Sequence, residues 1–226
     1  MKFLITLVAV FFLLQACGDM DSSELGPKRF EETVQQFEAL DKKSPPEEGA
    51  ILFVGSSSIA HWNTLADDFP EERILNRGMG GSEFSDLLYY DNRLIYSYKP
   101  SRIFVYEGDN DLWYDEKPGD ILNEAKELRQ RIAEELPGVP VVFISVKPSV
   151  ARWEMKEQYE EFNSLLKEYA EETPLTLFAD IWTPMLNKEG EVYKHIFKKD
   201  KLHMNEQGYK VWQSVLAPYV KGEISD

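Results

Sequence analysis

From Pro27 onward the apolar positions follow two rhythms. Phe30, Val34, Phe37 and Leu40 recur at steps of three and four, and similar spacing returns over 83–97, 118–136, 152–170 and 205–220. That period predicts amphipathic helices. Between them lie short continuous apolar runs: ILFV at 51–54, RIL at 73–75, RIFVY at 102–106, VVFI at 141–144 and LTLFA at 175–179. Continuous hydrophobicity is what strands buried on both faces require, and the intervening helices supply the two covers. Pro100, Pro140 and Pro174 stand just before three of these runs, where they stop a helix without interrupting a ladder. The alternation predicts an α/β fold with a parallel sheet of about five strands.

The first residues break this pattern. Lys2 is followed by the uncharged run FLITLVAVFFLL and then QAC, a positive start and an apolar stretch too short to span a bilayer. Residues 1–16 therefore read as an export signal. The stretch LQAC resembles the lipobox of bacterial lipoproteins, which implies cleavage before Cys17 and a lipid on its thiol, with 17–27 as a polar tether and 28–226 as the folded domain. An ordinary secretory signal ending near Cys17 is the alternative. The resemblance implies an exported protein of the bacterial cell envelope, anchored to a membrane through Cys17. With one cysteine in 226 residues, no internal disulfide is possible.

Charge narrows the partners. The net charge is −15 and becomes −16 once residues 1–16, whose sole charge is Lys2, are removed. Such a field repels a phosphate backbone, so nucleic acid is not an expected partner. Three scattered histidines, a lone cysteine and no HExxH offer no zinc site, and the DND at 109–111 lacks the later glycine and glutamate of a calcium loop. No metal is expected.

In a parallel α/β sheet, chemistry gathers where the chain leaves the carboxyl ends of the strands. Four segments qualify: Gly55-Ser56-Ser57-Ser58 after the first strand, NRGMGGS (76–82) after the second, EGDND (107–111) after the third, and DKLH (200–203) before the last helix. Singly, each has an ordinary explanation as a cap, a turn or a solvated loop. Together they hold a nucleophile, a base, an orienter for the base and oxyanion donors, the parts hydrolytic acyl transfer needs. Among His61, His195 and His203, only His203 has a carboxylate, Asp200, three residues before it and a helix just after; His61 is expected on a helix face. The residues alone leave Ser56, Ser57 and Ser58 open as nucleophile.

The blocks GSSS, GMGGS, GDND and DKLH, in that order from about Ala50 to Trp212, resemble those of the SGNH hydrolases, also called GDSL-type esterases and lipases. The resemblance implies a three-layer flavodoxin-like fold with strand order 2-1-3-4-5, no cofactor, and serine esterase chemistry. It implies Ser57, two after the glycine, as nucleophile, with Ser56 where the family usually has aspartate. His203 and Asp200 complete the triad, and the Ser57 N–H, Gly81 and Asn110 form the oxyanion hole. The implied substrate is a small ester or an acetylated saccharide. Residues contacting it are not identified, although Lys147, Arg152 and Trp153 follow the fourth strand where they could line the rim. A noncatalytic envelope lipoprotein that binds a glycan or lipid is the reading from another class.

Overall fold

The structure is a computed structural model and describes residues 22–224. The export signal and Cys17 lie outside the described residues. A 3₁₀ segment, Ser22–Phe30, broken at Gly26, leads into α1 (Glu31–Lys43). Then follow β1 (Ile51–Gly55), α2 (Ser57–Ala60), α3 (Leu65–Asp68), β2 (Ile74–Gly78), α4 (Phe84–Leu94), β3 (Arg102–Tyr106), α5 (Asp109–Trp113) and α6 (Pro118–Glu135). The chain closes with β4 (Val141–Ile144), α7 (Lys156–Glu172), β5 (Thr176–Ala179) and α8 (Glu206–Val220).

The five strands form one parallel sheet in the order β2-β1-β3-β4-β5. Alternate residues of each strand feed two cores, as a period of two demands. Leu52, Val54, Ile103 and Val105 pack with α1, α4, α6 and α7; Phe53, Phe104, Val142 and Ile144 pack with α2, α3 and α8. Three layers result. Phe53 of β1 stacks on Phe104 of β3 with ring centroids 4.3 Å apart, and truncating such a ring to alanine costs about 3–5 kcal/mol.

The helices start where local chemistry favours it. Pro118 stands in the first turn of α6, where its missing N–H costs nothing. The Asn205 side chain accepts the Gln207 and Gly208 N–H groups (2.9 and 3.2 Å) and so opens α8. The run predicted at 73–75 is longer than expected and continues through Asn76 and Arg77 to Gly78. These polar residues fit an edge strand because their side chains find partners off the ladder. Asn76 Nδ2 donates to the Ile59 carbonyl (2.8 Å), and Arg77 pairs with Asp41 and donates to the Tyr98 hydroxyl (2.8 Å). The helix predicted from 152 begins at Lys156, preceded by the 3₁₀ turn Trp153–Met155.

Candidate active site

β1 ends at Gly55 with φ at 132°, and a Cβ there would lie 2.1 Å from the Tyr106 carbonyl oxygen. Only glycine permits that approach. The Ser56 N–H then donates to the same carbonyl (3.1 Å), and Ser57 opens α2. Its N–H is among the first of the helix, which have no intrahelical acceptor. Ser56 and Ser58 are 1% and 2% exposed whereas Ser57 is half-buried, so the middle serine is the most open of the three. The Ser58 carbonyl accepts the buried Tyr209 hydroxyl (3.0 Å), which ties α2 to α8.

The turn after β2 places Gly81 in the left-handed region at φ 90°. Nothing lies within 4 Å of where its Cβ would be, so backbone conformation rather than space calls for glycine. Next to it, Ser82 is fully buried and donates its hydroxyl to Glu107 Oε1 (2.5 Å). It does not cap α4; there the Asp86 carboxylate accepts the Glu83 N–H (3.0 Å) and Arg29 bridges Glu83 and Asp86. Asn110 comes from the first turn of α5, and its Nδ2 donates to the Ser82 carbonyl (2.9 Å). The second and third segments therefore meet directly.

Asp200 and His203 sit in the turn before α8. One Asp200 oxygen accepts the N–H groups of Leu202 (3.0 Å) and His203 (2.9 Å), and the other lies 2.9 Å from His203 Nδ1. Partial burial works against ionisation, but those N–H groups and the His203 ring bring the Asp200 carboxyl down to about 2. With Nδ1 engaged, Nε2 is the free nitrogen. The His203 ring meets that of His61 edge-on at 4.9 Å, and His61, which closes α2, donates its N–H to the Ser57 carbonyl (2.9 Å). His203 is thereby brought to the single helical turn that carries Ser57. Partial burial and the neighbouring His203 lower the pKa of His61. His195 lies elsewhere, against Tyr193, with its carbonyl accepting Asn205 Nδ2 (2.7 Å).

Behind the rim is a buried ionic group. Asp109 is held by Lys147 Nζ (2.7 Å), Arg152 (2.6 Å), the Tyr159 hydroxyl (2.7 Å) and the Tyr106 hydroxyl (3.0 Å). Burial alone would raise its pKa; Lys147 and Arg152 together hold it well below the usual carboxylate range. The flanking acids differ. Burial, then the nearby Asp111, pushes Glu107 well above the ordinary range, and burial lifts Asp111 to about 8 even though its oxygens accept the Phe84 and Gly108 N–H groups (2.8 and 2.9 Å).

Residues 49–211 match the model of the GDSL-like lipase/acylhydrolase family. The chain belongs to this family. It is accordingly an ester hydrolase, and its fold agrees with solved structures. One is a Streptococcus pneumonia protein provisionally designated a platelet activating factor, with a TM-score of 0.75 at 23% identity over 85% of this chain and 94% of that one. A GDSL-like lipase from Bacteroides thetaiotaomicron gives 0.71 at 17% identity over 84% and 98%. An acetyl-xylooligosaccharide esterase from Geobacillus stearothermophilus gives 0.63 at 16% over 80% and 98%. No curated protein matches in sequence.

Within this GDSL-type site two expectations change. EGDND, which taken singly has the ordinary explanation of a solvated loop and in combination reads as a segment of the rim, is interior: Asp109, Asn110 and Asp111 are 6%, 8% and 0% exposed, and 109–111 begin a helix. Lys147 and Arg152, expected on the rim, are turned inward by Asp109, while Trp153 is half-buried and stacks on Trp182 at 6.0 Å. Sequence reasoning missed this ionic group. The available signal was a basic pair, Lys147 and Arg152, beside a strand end in a chain so rich in acids.

Proposed function

We propose that the protein is a serine esterase of short acyl chains in which Ser57 is the nucleophile, His203 the base and Asp200 the group that orients it. His203 Nε2 takes the Ser57 hydroxyl proton as Oγ attacks the ester carbonyl. The tetrahedral oxyanion is met by the N–H groups of Ser57 and Gly81 and by the Asn110 amide. The alcohol leaves with the proton from His203, and water, deprotonated by the same ring, hydrolyses the acyl-enzyme. The observation that carries this reading is the Asp200–His203 pair at 2.9 Å, with its ring against His61 at the end of the turn that Ser57 opens. Acetylated saccharides fit as substrates because the similar fold of an acetyl-xylooligosaccharide esterase supports a small acyl group on a sugar.

The test is covalent capture by a fluorophosphonate. Wild-type protein is expected to label on Ser57 alone, and Ser57→Ala to lose both labelling and hydrolysis of nitrophenyl acetate, while Ser56→Ala and Ser58→Ala retain the label. A folded wild-type protein that does not label would sink the serine mechanism and favour a noncatalytic binder. A panel of esters graded in acyl length, with acetylated saccharides included, tests the substrate: acetyl esters are expected to be turned over fastest.

The lipid anchor on Cys17 and the envelope location belong to the same proposal, and they rest on LQAC following an apolar run. Among the described residues no helix is long and apolar enough to cross a membrane. Mature protein is expected to partition into detergent, and Cys17→Ser to abolish that behaviour.

A further inference from the structure

A side-chain amide can turn by 180° with almost no change of shape, yet the turn exchanges a donor for an acceptor. For an amide that is to meet an oxyanion, that exchange is the difference between stabilisation and repulsion. Asn110 is 8% exposed, and its Oδ1 accepts from both terminal nitrogens of Arg152, each at 3.2 Å. A guanidinium carries donors only, so the oxygen must face it. Nδ2 then faces the other way, where one of its two hydrogens is taken by the Ser82 carbonyl at 2.9 Å. One N–H remains.

We propose that Arg152 is a positioning residue for the acyl-transfer step, acting through Asn110: it fixes which end of the amide faces the reacting oxygen and polarises the N–H that does so. This rests on the reading of Asn110 as an oxyanion donor given above. Arg152 is itself held in place. It donates to Asp109 Oδ1 (2.6 Å) and to the Asp109 carbonyl (2.8 Å), and its guanidinium lies 4.8 Å from the centre of the Trp113 ring. A cation drawing on the amide oxygen makes the N–H at the far end a stronger donor, because hydrogen bonds in a chain polarise one another away from water. Lys147 meanwhile neutralises the other oxygen of Asp109 at 2.7 Å. Asp109 thus has two cationic partners, and one of them, Arg152, reaches Asn110 as well.

The competing role for Arg152 is structural, as the counter-charge of buried Asp109. Arg152→Lys separates the two, since a lysine can still neutralise Asp109 but lacks the planar fork that reaches both Asp109 and Asn110. The experiment measures kcat and KM on nitrophenyl acetate for Arg152→Lys, Arg152→Met, Asn110→Ala and the two double variants, with thermal melting as the control on folding. Asn110→Ala is expected to lower kcat by about 10²- to 10³-fold. Arg152→Met and Arg152→Lys should lower it by roughly 10-fold or more with KM nearly unchanged, because an interaction made in the transition state is what is lost. In the Asn110→Ala background either Arg152 change should cost less than about 2-fold, the non-additivity of residues acting as a unit. If Asn110→Ala lowers kcat while Arg152→Lys, with an unchanged melting point, keeps full turnover, or if the losses multiply, Arg152 does not act through Asn110. If Asn110→Ala leaves kcat intact, both this inference and the oxyanion reading of Asn110 fall, whereas labelling of Ser57 is unaffected.

Discussion

Glu107, Asp109 and Asp111 lie within five residues of one chain segment, all are buried, and they sit in opposite electrostatic states. Asp109 faces the α7 side, where Lys147, Arg152 and Tyr159 donate to it, and its carboxyl is held ionised. Glu107 and Asp111 face the turn before α4, and among the described residues neither forms a salt bridge. Their neighbours are further acids: Asp111, Glu116 and Glu124 bring carboxyl oxygens within 4.8 Å of one another. Desolvation is common to both sides. What differs is what answers it: Lys147, Arg152 and the Tyr159 hydroxyl hold Asp109 low, whereas burial with acids nearby lifts Glu107 and Asp111. Asn110 stands at the boundary, with its oxygen toward the cationic side and its nitrogen toward Ser82.

The most damaging way to break this contrast is Asp109→Ala, which strands Lys147 and Arg152 in the interior. A loss of about 3–5 kcal/mol is expected in urea unfolding, as for other buried pairs with one partner removed. A loss under 1 kcal/mol would mean that water already solvates the group. Asp111→Ala removes the acceptor of two backbone N–H groups without stranding a charge, so about 2 kcal/mol is expected, and Asp111→Asn, which keeps one carboxyl-like oxygen, should recover part of it.

The pH dependence of stability sharpens the contrast further. Burial raises Asp111 to about 8, Glu124 to about 7 and Asp86 to about 6, so over this range the folded state holds protons that the unfolded chain, titrating near 4, has released. Their contribution is complete below about pH 4 and is lost as the pH climbs through the folded values. Asp109 and Asp200, whose carboxyls are held low, act in the other sense and give up their contribution as the pH falls below about 4. The melting temperature is therefore expected to peak in mildly acidic solution and to fall toward pH 8.5, by roughly 2–4 °C for each 1 kcal/mol. A melting temperature rising steadily from pH 5 to 8.5 would contradict the assignment. The smallest effect is reserved for Glu124→Gln, which removes a charge from the acidic side only. Because Glu124 is partly exposed, a gain within about 0.5 kcal/mol at pH 8 is expected, with none at pH 5.

The five strands were legible because a strand covered on both faces must be apolar at every position, and a run such as RIFVY can do little else. The end of β2 was not, because Asn76 and Arg77 are acceptable there only through Ile59, Asp41 and Tyr98, which lie far away in sequence. The pairing of Asp200 with His203 was legible because the two are three residues apart and local geometry suffices. The choice among the three serines was left open by the residues themselves, since each could follow a strand and start a helix. Burial separates half-buried Ser57 from Ser56 and Ser58, and the Ser58 carbonyl is reached by the Tyr209 hydroxyl from α8, 151 residues away in sequence.

By itself, then, the order of residues determined the alternation of strands and helices, the parallel sheet and the four segments on its rim, because period, proline position and strand-end chemistry act over a few residues at a time. Only the tertiary structure decided the inside of the site. Whether EGDND meets water or Lys147 and Arg152, and which way the Asn110 amide points, depend on groups some 40 residues apart that the sheet brings to within 3.2 Å. Ionisation and hydrogen-bond direction depend on distance and burial in three dimensions, and neither quantity exists until the chain has folded.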